Sequence, residues 1–83
     1  MPYFVYLITT KNKNKKKFSY VGYAKNIKRR LNLHNSGKGA KFTRGNKWKL
    51  VYYEKYDSKS DAMKNEYRLK KDYILRKILI KNK

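Results

Sequence analysis

Tyr3-Phe4-Val5-Tyr6-Leu7-Ile8-Thr9-Thr10 stands at the head of the chain, a run made almost wholly of aromatic and β-branched residues. It is too short for a helix of ordinary length and reads as a strand. One face of that strand carries Tyr3, Val5 and Leu7, and the other carries Phe4, Tyr6 and Ile8. Both faces are apolar, so the strand is expected to be covered on both sides. Phe18 to Tyr23 reads as a second strand. Between the two, Lys11 to Lys17 is basic and polar with no apolar residue, which predicts a solvated, mobile loop closing an antiparallel hairpin.

Downstream, the hydrophobic period changes. Asn26 is placed to cap a helix through Ile27, Arg30, Leu31 and His34 to about Asn35. Gly37-Lys38-Gly39 ends that helix and opens a basic loop through Arg44 and Gly45. Trp48 to Tyr56 reads as a third strand. Ser58, with Asp61 three residues on, resembles a capping box for a helix over Lys59 to Lys71. Ile74, Leu75, Ile78 and Leu79 recur at helical spacing and predict a short terminal helix over Tyr73 to Ile80. The expected fold is α+β, in the order β-β-α-β-α-α: a three-stranded antiparallel sheet flanked by helices, with residues 1–83 as one domain.

Charge is the dominant compositional fact. The 83 residues hold 24 Lys and Arg against five Asp and Glu, a formal net charge of +19. Each cation that neutralises a phosphate releases condensed counterions, so nucleic acid is the expected partner. Lys, Asn and Ile are also what an AT-rich genome encodes, so the lysine count alone is weaker evidence than its size suggests. Aromatic residues make up 16% of the chain, unlike a disordered basic tail. There is no cysteine and one histidine, which excludes thiolate and multi-histidine metal sites. No apolar run reaches the length of a membrane span or a signal-peptide core. A soluble cytoplasmic protein is expected. Attachment to anionic membrane is disfavoured, because no basic amphipathic helix with a wide apolar face stands out. Composition alone would favour a non-catalytic basic module that binds DNA or RNA.

Against that background a few residues point to chemistry. Arg30 and His34 lie one helical turn apart beside the apolar Ile27 and Leu31, at a core edge; an ordinary basic groove-facing helix would show the same pair. On the second helix, Ala62, Glu66, Leu69 and Tyr73 share one stripe, and Glu66 is its only acid. Such a carboxylate is usually the partner of a Lys or Arg. It could instead hold one hard divalent cation through oxygen, with water and phosphate completing the shell. Tyr6 and Tyr20 fall on neighbouring strands, and nearby cations would favour a phenolate. Ser36-Gly37-Lys38-Gly39-Ala40-Lys41 lacks the spacing of a nucleotide-binding P-loop and follows a helix; it suits contact with backbone phosphates.

Taken in order, these pieces resemble the GIY-YIG nuclease family, in its short stand-alone bacterial form. Phe4-Val5-Tyr6 stands at the first triplet and Tyr20-Val21-Gly22 at the second. Arg30 follows in Lys28-Arg29-Arg30-Leu31, then the run His34 to Arg44, then Glu66 in Ser60-Asp61-Ala62-Met63-Lys64-Asn65-Glu66. The resemblance implies a metal-dependent endonuclease acting on DNA, structure-directed or single-stranded, with little sequence specificity of its own. It implies Tyr6 as general base, Tyr20 as its assistant, and Arg30 as the group holding the scissile phosphate. His34 would bond to Tyr6 or to phosphate, and Glu66 would bind one Mg²⁺ or Mn²⁺. Lys25, Arg29, Lys38, Lys41 and Arg44 are the expected phosphate contacts. Two positions depart from the family pattern. Phe4 replaces the first glycine, and Tyr23 stands where many relatives have lysine, a role Lys25 is placed to take.

Overall fold

A computed structural model describes residues 2–11 and 17–82. β1 (Tyr3–Lys11) is the middle strand of a three-stranded antiparallel sheet in the order β2-β1-β3, with β2 (Lys17–Ala24) and β3 (Lys49–Tyr56) at the edges. The expected hairpin between the first two strands is present. Most of its connecting loop lies outside the described residues.

Alternation along β1 divides the core as the two apolar faces predicted. Val5 and Leu7 join Val21, Val51, Ala62 and Leu69 on one face. Tyr6 and Ile8 join Ala24 and Trp48 on the other, backed by Ile27 and Leu31. On β3 the pairing shifts from Leu7↔Tyr52 to Ile8↔Leu50, so Val51 is an extra residue in the ladder. This bulge puts Val51 and Tyr52 against the same cluster. Leu7 is wholly buried at the centre of the sheet. Leu7→Ala is expected to cost about 2–5 kcal/mol in denaturant unfolding; a loss under about 1 kcal/mol would mean that this face carries little of the fold's stability.

The helices start and stop where local chemistry directs. α1 (Ile27–Asn35) begins at Asn26, whose side chain accepts from Arg29 N–H at 3.0 Å. Its end is a Schellman turn: Gly37, at φ +80°, and Lys38 donate to the carbonyls of His34 and Leu33. α2 (Lys59–Lys71) is capped by Ser58 Oγ, which accepts from Asp61 N–H at 3.1 Å. Asp72 then closes α2 and opens α3 (Tyr73–Lys81), its Oδ1 accepting from Leu75 N–H at 3.0 Å.

That break corrects the stripe expected across the second helix. Ala62 and Leu69 are buried, but Tyr73 belongs to α3 and is exposed. Leu79 and Ile80 pack on the sheet, whereas Ile74, Leu75 and Ile78 face solvent among lysines. α3, the short terminal helix expected from its apolar spacing, thus carries apolar residues both against the sheet and towards solvent. No described helix is long and apolar enough to cross a membrane.

The basic loop after α1 is held by specific local contacts. Lys41–Thr43 forms a 3₁₀ turn. The Asn35 side chain bonds to both the N–H and the carbonyl of Trp48, and the Trp48 indole N–H donates to the Thr43 carbonyl at 2.9 Å. These contacts tie the end of α1 to the start of β3.

Candidate active site

An open cleft of about 600 Å³ lies where β1 and β2 meet α1 and α2. Tyr6, Tyr20 and Gly22 reach it from the sheet, Lys25, Arg29 and Arg30 from α1 and its lead-in, and Lys59 and Glu66 from α2. Four of the five expected site residues therefore share one cleft. His34, the fifth, lies behind Tyr6 in the core.

Tyr6 is only 2% exposed although it borders the cleft. Its position depends on Gly22, the residue directly across the ladder. A Cβ at Gly22 would fall 2.6 Å from Tyr6 Cζ and against the hydroxyl. The second-triplet glycine thus has a steric reason of its own: it leaves room for the hydroxyl. Tyr20 lies diagonally across the same pair of strands, its ring 6.5 Å from that of Tyr6.

The expectation that cations would favour a Tyr6 phenolate is overturned. Its pKa is pushed up to about 12, first by burial and then by the neighbouring Tyr20, while Arg30 only partly offsets the rise. Arg30 is exposed, so its charge is shared with water. Burial wins, and Tyr6 is a phenol at neutral pH.

His34 is 1% exposed, deeper than the core edge expected for it. Its Nε2 is 2.8 Å from Tyr6 Oη, and its Nδ1 is 2.8 Å from Thr43 Oγ1. Tyr6 is one of the two partners expected for His34. Burial, followed by the charge of Arg30, lowers its pKa below the ordinary 6.5 and keeps the ring neutral at pH 7. Gly39 makes room for the imidazole, since a Cβ there would lie 3.0 Å from His34 Cα and against the ring.

Among the described residues, Glu66 is the only carboxylate lining the cleft, beside Lys25, Arg29, Arg30 and Lys59. Its side chain is 17% exposed and pairs with Lys70 at 3.5 Å, one turn along α2. The lysine side chain is 52% exposed, so the pair is weak and a cation could displace it. Among the described residues no cluster of three or more His, Asp or Glu could hold a metal. What the cleft offers is one hard oxygen ligand.

The expected phosphate contacts divide in two. Lys25 and Arg29 line the cleft, with the Lys25 ammonium 5.5 Å above the Tyr3 ring. Lys38, Lys41 and Arg44 are exposed on the loop after α1 and do not reach the cleft wall. Between them Phe42 is 57% exposed and stacks on Tyr20, with centroids 6.2 Å apart and planes inclined by 22°. Sequence reasoning missed Lys59, Thr43 and the spatial role of Gly39. A lysine in the first turn of a helix has no special local signal, and Thr43 meets His34 only through the fold of the intervening loop.

The sequence profile of the GIY-YIG catalytic domain matches residues 2–78. The UPF0213 protein OB0043 of Oceanobacillus iheyensis is 39% identical over 69 residues, covering 82% of this chain and 76% of that protein. The UPF0213 protein SSP2268 of Staphylococcus saprophyticus is 41% identical over 69 residues, covering 82% and 79%. The solution NMR structure of the UPF0213 protein BH0048 from Bacillus halodurans superposes with a TM-score of 0.52 at 35% identity, covering all of this chain and 86% of that one.

Proposed function

The chain belongs to the GIY-YIG catalytic-domain family, and from that premise we propose that it is a metal-dependent endonuclease that hydrolyses phosphodiester bonds in DNA. The observation that carries the reading is Glu66, among the described residues the one acid in a cleft whose other charged residues are all cations and whose walls include four tyrosines. A binding surface gains nothing from a carboxylate aimed at phosphate. A cutting site needs one to hold its metal.

In this reading Arg30, with Lys25, Arg29 and Lys59 around it, receives the scissile phosphate and meets the charge that develops on it. Glu66 would hold one Mg²⁺ or Mn²⁺ through oxygen, with water and phosphate completing the shell. The chemistry such an ion supplies when bound is stabilisation of charge on the leaving oxygen. Tyr6 is the general base. Because it is a phenol at neutral pH, it must give up its own proton as it accepts one from water. The neutral His34 Nε2, 2.8 Å away, is placed to take that proton. Tyr20 packs against both rings and limits their movement. The groups facing the substrate address phosphate rather than base edges, so little sequence preference is expected.

The test is a panel of labelled single-stranded, duplex and branched DNA, with RNA beside it, incubated with Mg²⁺, Mn²⁺ or chelator. Cleavage of DNA is expected with either ion, and none with chelator. Salt-sensitive binding with no cleavage of any substrate under either ion would leave a basic binding module as the better account.

A further inference from the structure

We infer that Thr43 is a positioning residue, which holds His34 as the Nδ1–H tautomer so that Nε2 offers a lone pair to the Tyr6 hydroxyl. The inference rests on the nuclease reading for its catalytic meaning, but not for the proton arrangement itself. That arrangement follows from counting protons along a buried chain of hydrogen bonds. Tyr6 Oη meets His34 Nε2, His34 Nδ1 on the other side of the ring meets Thr43 Oγ1, and Thr43 Oγ1 meets the Ala40 carbonyl, each of these three hydrogen bonds being 2.8 Å long.

The last member fixes the direction. A carbonyl oxygen only accepts, so the bond between Thr43 and Ala40 needs the hydroxyl proton of Thr43. A threonine hydroxyl has one proton. With that proton committed, Oγ1 can meet His34 Nδ1 only as an acceptor, and Nδ1 must carry a hydrogen. A neutral imidazole then has a bare Nε2, and the proton between the rings of His34 and Tyr6 belongs to the phenol. The opposite arrangement would press the lone pairs of Thr43 Oγ1 and Ala40 O together at 2.8 Å, with Thr43 wholly buried. Nothing in that interior would compensate the contact.

The surroundings hold Thr43 in this role. It sits in the 3₁₀ turn, and its N–H also donates to Ala40 at 3.1 Å. Its carbonyl is held by the Trp48 indole. The imidazole cannot retreat, because its ring lies against Gly39 on one side and the Tyr20 ring at 5.0 Å on another. The end reached is a directed path, by which a proton leaving Tyr6 finds a basic nitrogen rather than a second N–H.

The protein contains a single histidine, so its imidazole nitrogens can be read without assignment. In untagged protein labelled with ¹⁵N in the imidazole ring, and with no DNA or metal present, the neutral Nδ1–H pattern is expected. Thr43→Val, which keeps the side-chain shape and loses the hydroxyl, should move the population towards Nε2–H, and Thr43→Ser should restore Nδ1–H. Cleavage should fall about 10–100-fold in Thr43→Val, as when the outer hydrogen-bond partner of a metal-bound histidine is removed, and recover in Thr43→Ser. Backbone amide spectra establish that both variants fold. An Nε2–H pattern in the parent protein, or an unchanged tautomer in folded Thr43→Val, would overturn the inference. Undiminished cleavage by Thr43→Val would overturn its catalytic part. Failure of the parent protein itself to cleave would instead remove the nuclease reading, and the imidazole spectrum would still decide the tautomer.

Discussion

Glu66→Gln is expected to lower DNA cleavage by about 10²–10³ while leaving DNA binding intact or slightly tighter. The side chains are nearly equal in size, and the packing around Glu66 makes no demand on the charge beyond the weak pair with Lys70. What changes is the charge at the cleft: an anion among Lys25, Arg29, Arg30 and Lys59 becomes neutral. Phosphate attraction should therefore rise a little, while the ligand for a divalent ion is lost. Arg30→Ala supplies the contrasting case. It should lose cleavage by a similar factor and also give up one phosphate contact, reducing the slope of log K against log salt by about 0.9. Fluorescence anisotropy across a salt series, run beside a cleavage time course, separates the two. A Glu66→Gln protein that cuts as fast as its parent with Mg²⁺ would sink the assignment of Glu66 as the metal ligand.

Charge and patterning made much of this legible from the residues alone. The apolar run along Tyr3 to Ile8 specified a strand covered on two faces, and Asn26 and Ser58 marked helix starts by side-chain chemistry that acts within three residues. Tyr6, Tyr20, Arg30 and Glu66 were nameable because the GIY-YIG pattern is a pattern of spacing. The features that were missed depend on distance through space. Whether Tyr6 would be a phenol or a phenolate turned on how deeply β1 is buried against how exposed Arg30 remains, and cation count could not weigh the two. Thr43 carries no mark in its own neighbourhood. Its relation to His34 arises only when Asn35 clasps Trp48 and the loop between them closes. The expected stripe from Ala62 to Tyr73 failed for a local reason: Asp72 adopts φ −89° and ψ 77° and turns the chain before Tyr73 can continue the face.

Tyr6→Phe should reduce cleavage by about 10²–10⁴, the range for loss of a general base, and His34→Gln should do much the same. The decisive quantity is the double variant. If Tyr6 accepts a proton from water only as it passes its own to His34, the two side chains form one device, and removing the second after the first should cost little more. Losses that multiply would mean that the two residues act separately, and would overturn the relay. Stability must be followed alongside. Removing the Tyr6 hydroxyl leaves a buried imidazole nitrogen without its partner, at a cost of about 1–3 kcal/mol, so assays belong well below the unfolding midpoint. The pH profile offers an independent check with a definite sign. His34 must be neutral to accept a proton, and its pKa is lowered from 6.5 by burial and by Arg30, so activity should persist somewhat below pH 6.5 and vanish as pH falls through the depressed value. On the alkaline side no rise is expected near neutrality, because the phenol of Tyr6 ionises only at about 12. A rate that climbed steadily from neutral pH upward would mean that a phenolate formed in advance does the work, and that burial does not govern Tyr6 as its surroundings indicate.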